Sequence, residues 1–531
     1  MPQFNSNTPL VCVLAAVCAA SASAADWPQW GGTADRNMVS AETNLPDSFA
    51  PGKKNPDTEE WDTSTAKNVK WVAKLGSQSY GNPTVSGGKV YVGTNNTSPR
   101  DPKIAPNPKA GDNGDRGVMM CLDEATGKFL WQLTVPKLKS GIVNDWDHLG
   151  ICSSPTIEGD RVYVVTNRCE LLCLTTQGLG KENVGPFLSE GQYYIDPDAL
   201  KGGKEIKDKP VDAAKADIVW RLDMMEELGV FPHNASNCSV VIDGDIICCN
   251  TSNGVDWGHV NVPAATAPSF IGVNKKTGEV VWEDEIGMGK GERPDIGLSR
   301  RIFHGEWSNP SLGVVNNRKE VFFGGADGFV YALDPQTGKT IWFADCVLDK
   351  YKKDDKGNPI LYPDSKGPSE IIATPILYKN RIYVANGQDP EHGEGVGSLS
   401  CIDATKEGDV TKTGKVWVFD KIHRSMSTVS ISNGLVFIAD FSGFVFCLDA
   451  ETGKEYWTLE TGGHIWGSTM VADGKLYFGN EDGDAYVMEA GKEKKIISKT
   501  NVDSQIYGTP VVANGTIYIA AQSHLFAITK K

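Results

Sequence analysis

The sequence predicts an all-β protein: an eight-bladed β-propeller of four-stranded antiparallel blades, closed by an N-terminal outer strand in the last blade. Three observations predict it. An eleven-residue stretch recurs, as CLDEATGKFLW at 121–131, GVNKKTGEVVW at 272–282, ALDPQTGKTIW at 332–342 and CLDAETGKEYW at 447–457. Short runs rich in Val, Ile and Tyr separate the copies, broken by Gly-Gly or Asn-Gly pairs, and glycine reaches 57 of 531 residues. Counting first strands gives eight units, beginning near Asn82, Ser154, Asn237, Asn309, Thr374, Ser427, Ser468 and Thr509. Repeats of this period are read as blades before any other fold is considered.

Each element has a local reason. The first two strands of a unit, as in NPTVSGGKVYVGT at 82–94, flank a pair of residues able to take the positive φ of a tight hairpin. Asp-x-x-Thr-Gly-Lys makes the turn between the third and fourth strands, with Gly in its left-handed position. The Trp then lands on the fourth strand. Trp71, Trp131, Trp220, Trp282, Trp342, Trp417 and Trp457 take one slot in seven units, and the seventh unit departs, with KKIIS around Ser498. These indoles are expected to pack between blades. The last unit has only three strands before Lys531, and NVKWVAKL at 68–75 is a Trp-bearing strand with nothing before it to pair with. Pairing the two closes the ring and leaves no open sheet edge. The propeller is therefore placed at 68–531, after an N-terminal extension at 26–67.

Residues 1–25 read as a secretory signal. LVCVLAAVCAA at 10–20 is too short to span a bilayer, and Ser21-Ala22-Ser23-Ala24-Ala25 supplies small residues for cleavage, although MPQFNSNTP carries no Lys or Arg. No later run is long enough for a membrane helix. A periplasmic or secreted protein is expected, acting as a monomer. A net charge of −15 argues against a nucleic-acid surface, which needs a basic stripe.

The repeat Ala-Leu-Asp-x-x-Thr-Gly-Lys-x-x-Trp resembles that of pyrroloquinoline-quinone (PQQ)-type propellers, over roughly residues 61–531. That family includes quinoprotein alcohol dehydrogenases and the propeller lipoprotein that helps assemble outer-membrane proteins. DWPQWGG, at 26–32, is similar to the opening of secreted bacterial members. The shared motif is packing, so the resemblance implies fold more than activity. It also implies PQQ and Ca²⁺ as candidate cofactors. The dehydrogenases carry an adjacent Cys pair closed into a ring over the cofactor, and Cys248-Cys249 is similar; the other reading is an apolar inner strand. Adjacent Cα atoms lie about 3.8 Å apart, so such a bond is strained. Cys121, Cys173, Cys401 and Cys447 share one repeat slot and read as small buried hydrophobes. Cys169 and Cys173 are a weak zinc signal.

The histidines mark one face. His148, His233, His304, His423 and His464 precede first strands, and His259, His392 and His524 are placed between second and third strands. Both kinds of connection lie on the same side of a propeller, the top. The candidate funnel, built from residues just ahead of the axial strands, is Tyr80, His148, His233, Asn234, His304, Glu306, Glu370, His423, Arg424, His464, Trp466 and Tyr507. Imidazoles and Arg bind anions or metals, aromatic rings stack on flat ligands, and carboxylates hold Ca²⁺ or accept protons. Long top-face insertions at 95–116, 251–268, 348–369 and 387–397 add loops where sites are commonly built. The insertion at 175–217 is placed on the bottom face as a solvated excursion. Two functions follow: a propeller binding a small-molecule ligand in this funnel, as in a quinoprotein-type oxidoreductase, or a non-catalytic scaffold for a protein or polymer. A His-lined metal site is a third reading, with ligands drawn from separate blades and the metal unspecified.

Overall fold

A computed structural model describes residues 25–107, 109, 112–180, 186–188, 190, 214–284 and 302–531. The signal segment and most of the bottom-face insertion lie outside the described residues. Eight sheets form the ring, each with four antiparallel strands joined by three pairings. Blade 1 runs Thr84–Ser86, Lys89–Asn95, Arg116–Asp123 and Phe129–Pro136. The first strands of blades 2 to 8 start at Thr156, Val241, Ser311, Ile376, Ser430, Met470 and Val511. Val69–Lys74 pairs antiparallel with His524–Ile528, completing the last blade as the sequence requires. Blade 4 gains a fifth strand, Gly408–Asp409, parallel to its outer strand. No helix among the described residues is long and apolar enough to cross a membrane.

The repeated residues act as pairs. Cys121, Cys173, Gly272, Ala332, Cys401, Cys447 and Ala527 stand directly opposite Trp131, Trp220, Trp282, Trp342, Trp417, Trp457 and Trp71. A small residue on the third strand leaves room for the indole beside it. In blade 7 the same register places Val487 opposite Ser498. All of these indoles but Trp342 then cross to the next blade. Trp71, Trp220, Trp282 and Trp417 donate to the carbonyls of Glu124, Lys275, Pro335 and Ala450, one residue past the start of the neighbouring turn. In those turns Asp123, Asp334 and Asp449 accept from the Thr three residues on, and Gly takes φ near +70° at Gly127, Gly338 and Gly453. The Gly lies flat against the incoming indole: a Cβ on Gly338 would sit 2.4 Å from Trp282. Turn and tryptophan are thus one inter-blade joint. Trp342 instead bonds Glu320 of its own blade and is fully buried.

The axis carries a second ring. At the start of each first strand, a backbone N–H donates to a polar side chain of the next blade. The chain runs Asn82 to Ser154, Ser154 to Ser239, Ser239 to Asn309, Thr374 to Thr428, Thr428 to Ser468, Ser468 to Thr509 and Thr509 to Asn82. At the remaining position, the Thr374 hydroxyl accepts the Trp30 indole N–H at 3.2 Å.

That indole belongs to the extension, which closes the channel from below. Trp27 bridges Val85, Pro28 accepts from Ile157, Ala34 accepts from Leu312, Asn37 pairs with Ile431 and Val39 bridges Val471. Arg36 is fully buried and donates to the carbonyls of Trp30, Pro310, Ser239 and Val240. Burial alone brings its guanidinium down to about 9. Trp27, Met38, Leu45 and Phe49 join the core shared by blades 1, 7 and 8. The extension is thus part of the fold, spanning the ring's underside.

Candidate functional site

The structure sorts the predicted funnel into separate groups. His233 and His304 meet at a ring-centroid distance of 4.4 Å. Tyr80, Trp466 and Tyr507 cluster over the axis, with Tyr80 stacked on Tyr507 at 4.9 Å. The others do not join one funnel. His148 is exposed beside Asp115, and exposed His423 hydrogen-bonds Asp440 of its own blade. His464 stacks on Phe441 and bonds its carbonyl. Glu306 is buried with its carboxylate on the Ala326 N–H, and burial raises it well above the usual carboxylate range. His524 opens the third strand of blade 8 rather than lying in a loop, because the strand begins at that residue.

His233 and His304 belong to a larger cluster. His259, on the blade 3 insertion, stacks on His304 at 4.9 Å and 8° and meets His233 at 4.8 Å. His392, on the blade 5 insertion, lies 5.0 Å from His259 and 5.5 Å from His304. Ligand nitrogens of His233, His259 and His304 all fall within 4.8 Å of one another. His233 donates from Nδ1 to the Val255 carbonyl at 2.8 Å, which leaves its Nε2 lone pair free. That Nε2, Nε2 of His259 and His392, and both ring nitrogens of His304 are buried without a hydrogen-bond partner. Buried polar atoms are normally paired, so five such nitrogens in one place call for an explanation. Burial, with the neighbouring imidazoles adding to it, holds His233 and His392 down at about 4 and His304 well below its ordinary value, so the rings are neutral near pH 7.

The surroundings are also built from the insertions. Tyr362 lies 5.3 Å from His392 and donates to Glu370 at 3.3 Å. Glu370 Oε1 also accepts the Asp389 N–H, while its Oε2 is buried and unpartnered. Burial pushes the Glu370 carboxyl up to about 8 and that of Asp389 to about 6. The carboxylates of Asp389 and Glu391 lie within 4.8 Å of each other and of a His304 nitrogen. Arg424, fully buried, spends its guanidinium on Gln388, Asp389 and His392 backbone and side-chain oxygens, fastening the blade 5 insertion. Asn234 donates to Glu391 at 3.0 Å, tying blade 3 to the same loop. Trp307 packs edge-on against His304.

Beneath the aromatic group, the axis holds a cavity of about 160 Å³ bounded by Trp30, Tyr80, Trp307, Trp466 and Tyr507 and by the Asn, Ser and Thr ring. Among the described residues, its lining contains no charged side chain.

Several residues here are absent from the predicted funnel. His259 and His392 share its face in the sequence but lie in insertions, and the funnel was drawn only from residues preceding first strands. Tyr362 gave no signal beyond the length of its loop. The adjacent cysteines require a correction. Cys248 and Cys249 are free thiols on the strand Ile246–Asn250, and Cys249 packs in the blade 2–3 core whereas Cys248 packs in the blade 3–4 core. Successive strand side chains point to opposite faces, so a regular strand holds the two sulfurs apart. Cys121, Cys173, Cys401 and Cys447 are buried free thiols, as their slot predicts.

Similarity to known proteins points the same way as the fold. The family described as "Outer membrane protein assembly factor BamB" matches residues 110–301, 305–459 and 445–531. Tetrathionate hydrolase of Acidithiobacillus ferrooxidans is 30% identical over 176 residues, 32% of each chain, so this chain spans about a third of that relative's length. Quinoprotein alcohol dehydrogenase PedH of Pseudomonas putida is 23% identical over 433 residues, 76% of this chain and 67% of the relative. The structure of BamB from Moraxella catarrhalis superposes with a TM-score of 0.51 at 16% identity, over 87% of this chain and 97% of that one. With its match running through most of the ring, the chain belongs to the PQQ-like β-propeller family described by BamB.

Proposed function

We propose that this protein is an extracytoplasmic propeller that binds a first-row transition-metal ion through His233, His259, His304 and His392, and presents it to a small molecule at its top face. The observation that carries the reading is the set of buried, neutral imidazole nitrogens with no hydrogen-bond partner. Imidazole suits Zn, Cu, Fe and Ni, and a neutral ring is the ligand form. Asp389 and Glu391 are placed to complete the set. His259 and His392 are only partly buried, which leaves the site open toward solvent. A bound ion would supply Lewis acidity or redox chemistry at that opening. Glu370, protonated near neutral pH, and Tyr362 hold a proton beside it.

A quinone on the axis is less well supported. PQQ carries carboxylates, and among the described residues the axial cavity is lined by aromatic rings for stacking but by neither a cation for those carboxylates nor an acidic ligand for Ca²⁺. A second reading, a docking surface for a protein or polymer, draws on Trp257, Val260 and Leu361, which are 50%, 73% and 73% exposed beside the histidine site. Exposed apolar side chains grouped around one opening favour a partner with an apolar face.

The test is elemental analysis of the native protein, followed by titration of the chelator-treated protein with Zn²⁺, Co²⁺ and Cu²⁺. One ion per chain is expected. His304→Ala should weaken binding by about 100-fold or more, the upper range for losing even an outer-shell partner, while exposed His148→Ala leaves it unchanged. Equal binding by the wild type and His304→Ala overturns the reading. PQQ with Ca²⁺ is titrated in parallel, and saturable binding there with no metal uptake would restore the quinone.

A further inference from the structure

We infer that hydrolysis of the Ala24–Ala25 peptide bond creates an α-ammonium group that seats on Glu42 and locks the extension across the seam where the ring closes. Two independent observations meet at one residue. In the sequence, Ala22 and Ala24 stand three residues and one residue ahead of this bond, the small-x-small pattern that leader peptidases cleave, which moves the end of the signal from residue 25 to residue 24. In the structure, the Ala25 nitrogen lies 2.7 Å from Glu42 Oε1, and Glu42 is 8% exposed.

The second oxygen of Glu42 accepts the Gly515 N–H at 3.0 Å, from the hairpin of blade 8. The Ala25 carbonyl accepts from Asn514 of the same hairpin. Asp26 bonds Asn514 with one oxygen and Ser86 and Gly87, in the hairpin of blade 1, with the other. Residues 25 and 26 therefore staple the last blade to the first. The next residue, Trp27, starts the run of contacts along the underside of the ring.

In the uncleaved chain, the Ala25 nitrogen is a neutral amide. Cleavage adds water across the bond: Ala24 leaves as a carboxylate, and Ala25 gains a positive charge at hydrogen-bond distance from a carboxylate that is otherwise held by one backbone N–H. A charge-assisted bond replaces a neutral one and is the stronger of the two. The extension is thereby held most firmly in the processed protein, and the fastening across the seam tightens once the leader is removed. This inference does not depend on the metal site.

The test has two arms. The full chain is secreted, and the intact mass of the product is measured. Ala25 as first residue is expected, and any other first residue overturns the proposal. Purified chains beginning at Ala25, or at one glycine added before it, are then made with Glu42 intact or as Glu42→Gln. Amide exchange at Trp27 and Val39 reports release of the extension. The added glycine should speed exchange by about five-fold when Glu42 is present, a partly exposed ion pair being of that order, and by less than two-fold in Glu42→Gln. Equal acceleration in both backgrounds overturns the proposal. Nα-acetylation of the Ala25 chain removes the charge without touching Glu42, so it serves where Glu42→Gln does not fold: faster exchange supports the lock, and unchanged exchange overturns it.

Discussion

Alanine at Gly338 separates the joint proposed here from ordinary turn strain. Gly338 has φ of +69°, and a Cβ there would lie 2.4 Å from Cε3 and 2.7 Å from Cδ2 of Trp282. Gly434 is the control: its φ is +76°, in the Asn433-Gly434 hairpin, and a Cβ there meets nothing within 4 Å. Left-handed backbone costs an L-residue about 1–2 kcal/mol, and both variants incur it. Only Gly338→Ala must also displace an indole that is 7% exposed and hydrogen-bonded to the Pro335 carbonyl. Forcing a methyl into such a contact adds about 1–3 kcal/mol. The expected losses are therefore about 1–2 kcal/mol for Gly434→Ala and about 2–5 kcal/mol for Gly338→Ala. Guanidinium unfolding followed by Trp fluorescence measures both. If the two losses agree within error, the glycine of the repeated turn is there for its φ alone, and the Trp–Gly joint is not what fastens neighbouring blades.

Three further outcomes follow from the same structure. Trp342→Ala, at a fully buried indole, should cost about 3–5 kcal/mol in the same unfolding assay. Deleting residues through 52 should lower the melting temperature and open the channel to solute, since it removes buried Trp27, Arg36, Met38, Leu45 and Phe49; a melting point equal to that of the whole chain would contradict the plug. His524 is held down at about 4 by burial, below its ordinary 6.5, so its contribution is intact above 6.5 and is lost as pH falls from there toward 4. His524→Gln should make the fall in stability over that window shallower by one imidazole's share, since His233, His304 and His392 are depressed by burial as well, and an unchanged slope would show that its imidazole does not titrate with unfolding.

How much of this was legible in the sequence depends on what fixes each feature. Blade number, ring closure and the Trp slot rest on local chemistry repeated eight times, down to Ser498 taking the place of a tryptophan in blade 7. The polar residues used to count the blades, such as Asn82, Ser154 and Thr509, turned out to be the hydrogen-bonded ring around the axis, a role no single repeat announces. The plug was invisible because most of its partners are backbone groups, scattered over several blades. The site was legible as a face but not as a set. His233 and His304 sit at repeat-defined positions, so counting found them. His259, Tyr362 and His392 sit on insertions, whose course depends on contacts such as Arg424 with Gln388 and Asn234 with Glu391. His148, His423 and His464 share the repeat-defined position of His233 and His304 but turn to local partners, Asp115, Asp440 and the Phe441 carbonyl.

The position of the histidine site follows from what the ring leaves available. The axis is the one place all eight blades can reach, yet here its polar groups are committed to one another, its lower end to Trp30 and its upper end to Tyr80, Trp466 and Tyr507. A charged or metal-binding group placed there would break hydrogen bonds that hold the blades in register. The top-face connections around blades 3 to 5 carry no such duty. Insertions there can bring imidazoles together without altering a strand, and Phe270 stacked on Phe323 at 4.2 Å keeps blades 3 and 4 packed beneath them. Buried polar atoms without partners are costly unless something fills the gap, so on the proposed metal reading the imidazole group is destabilising until an ion binds. The protein without metal should therefore be less stable than with it, by an amount that rises with metal concentration. His304→Ala should abolish that dependence while melting no lower than the metal-free wild type. A melting temperature that ignores Zn²⁺, Co²⁺ and Cu²⁺ alike would mean that the unpartnered nitrogens serve no ion.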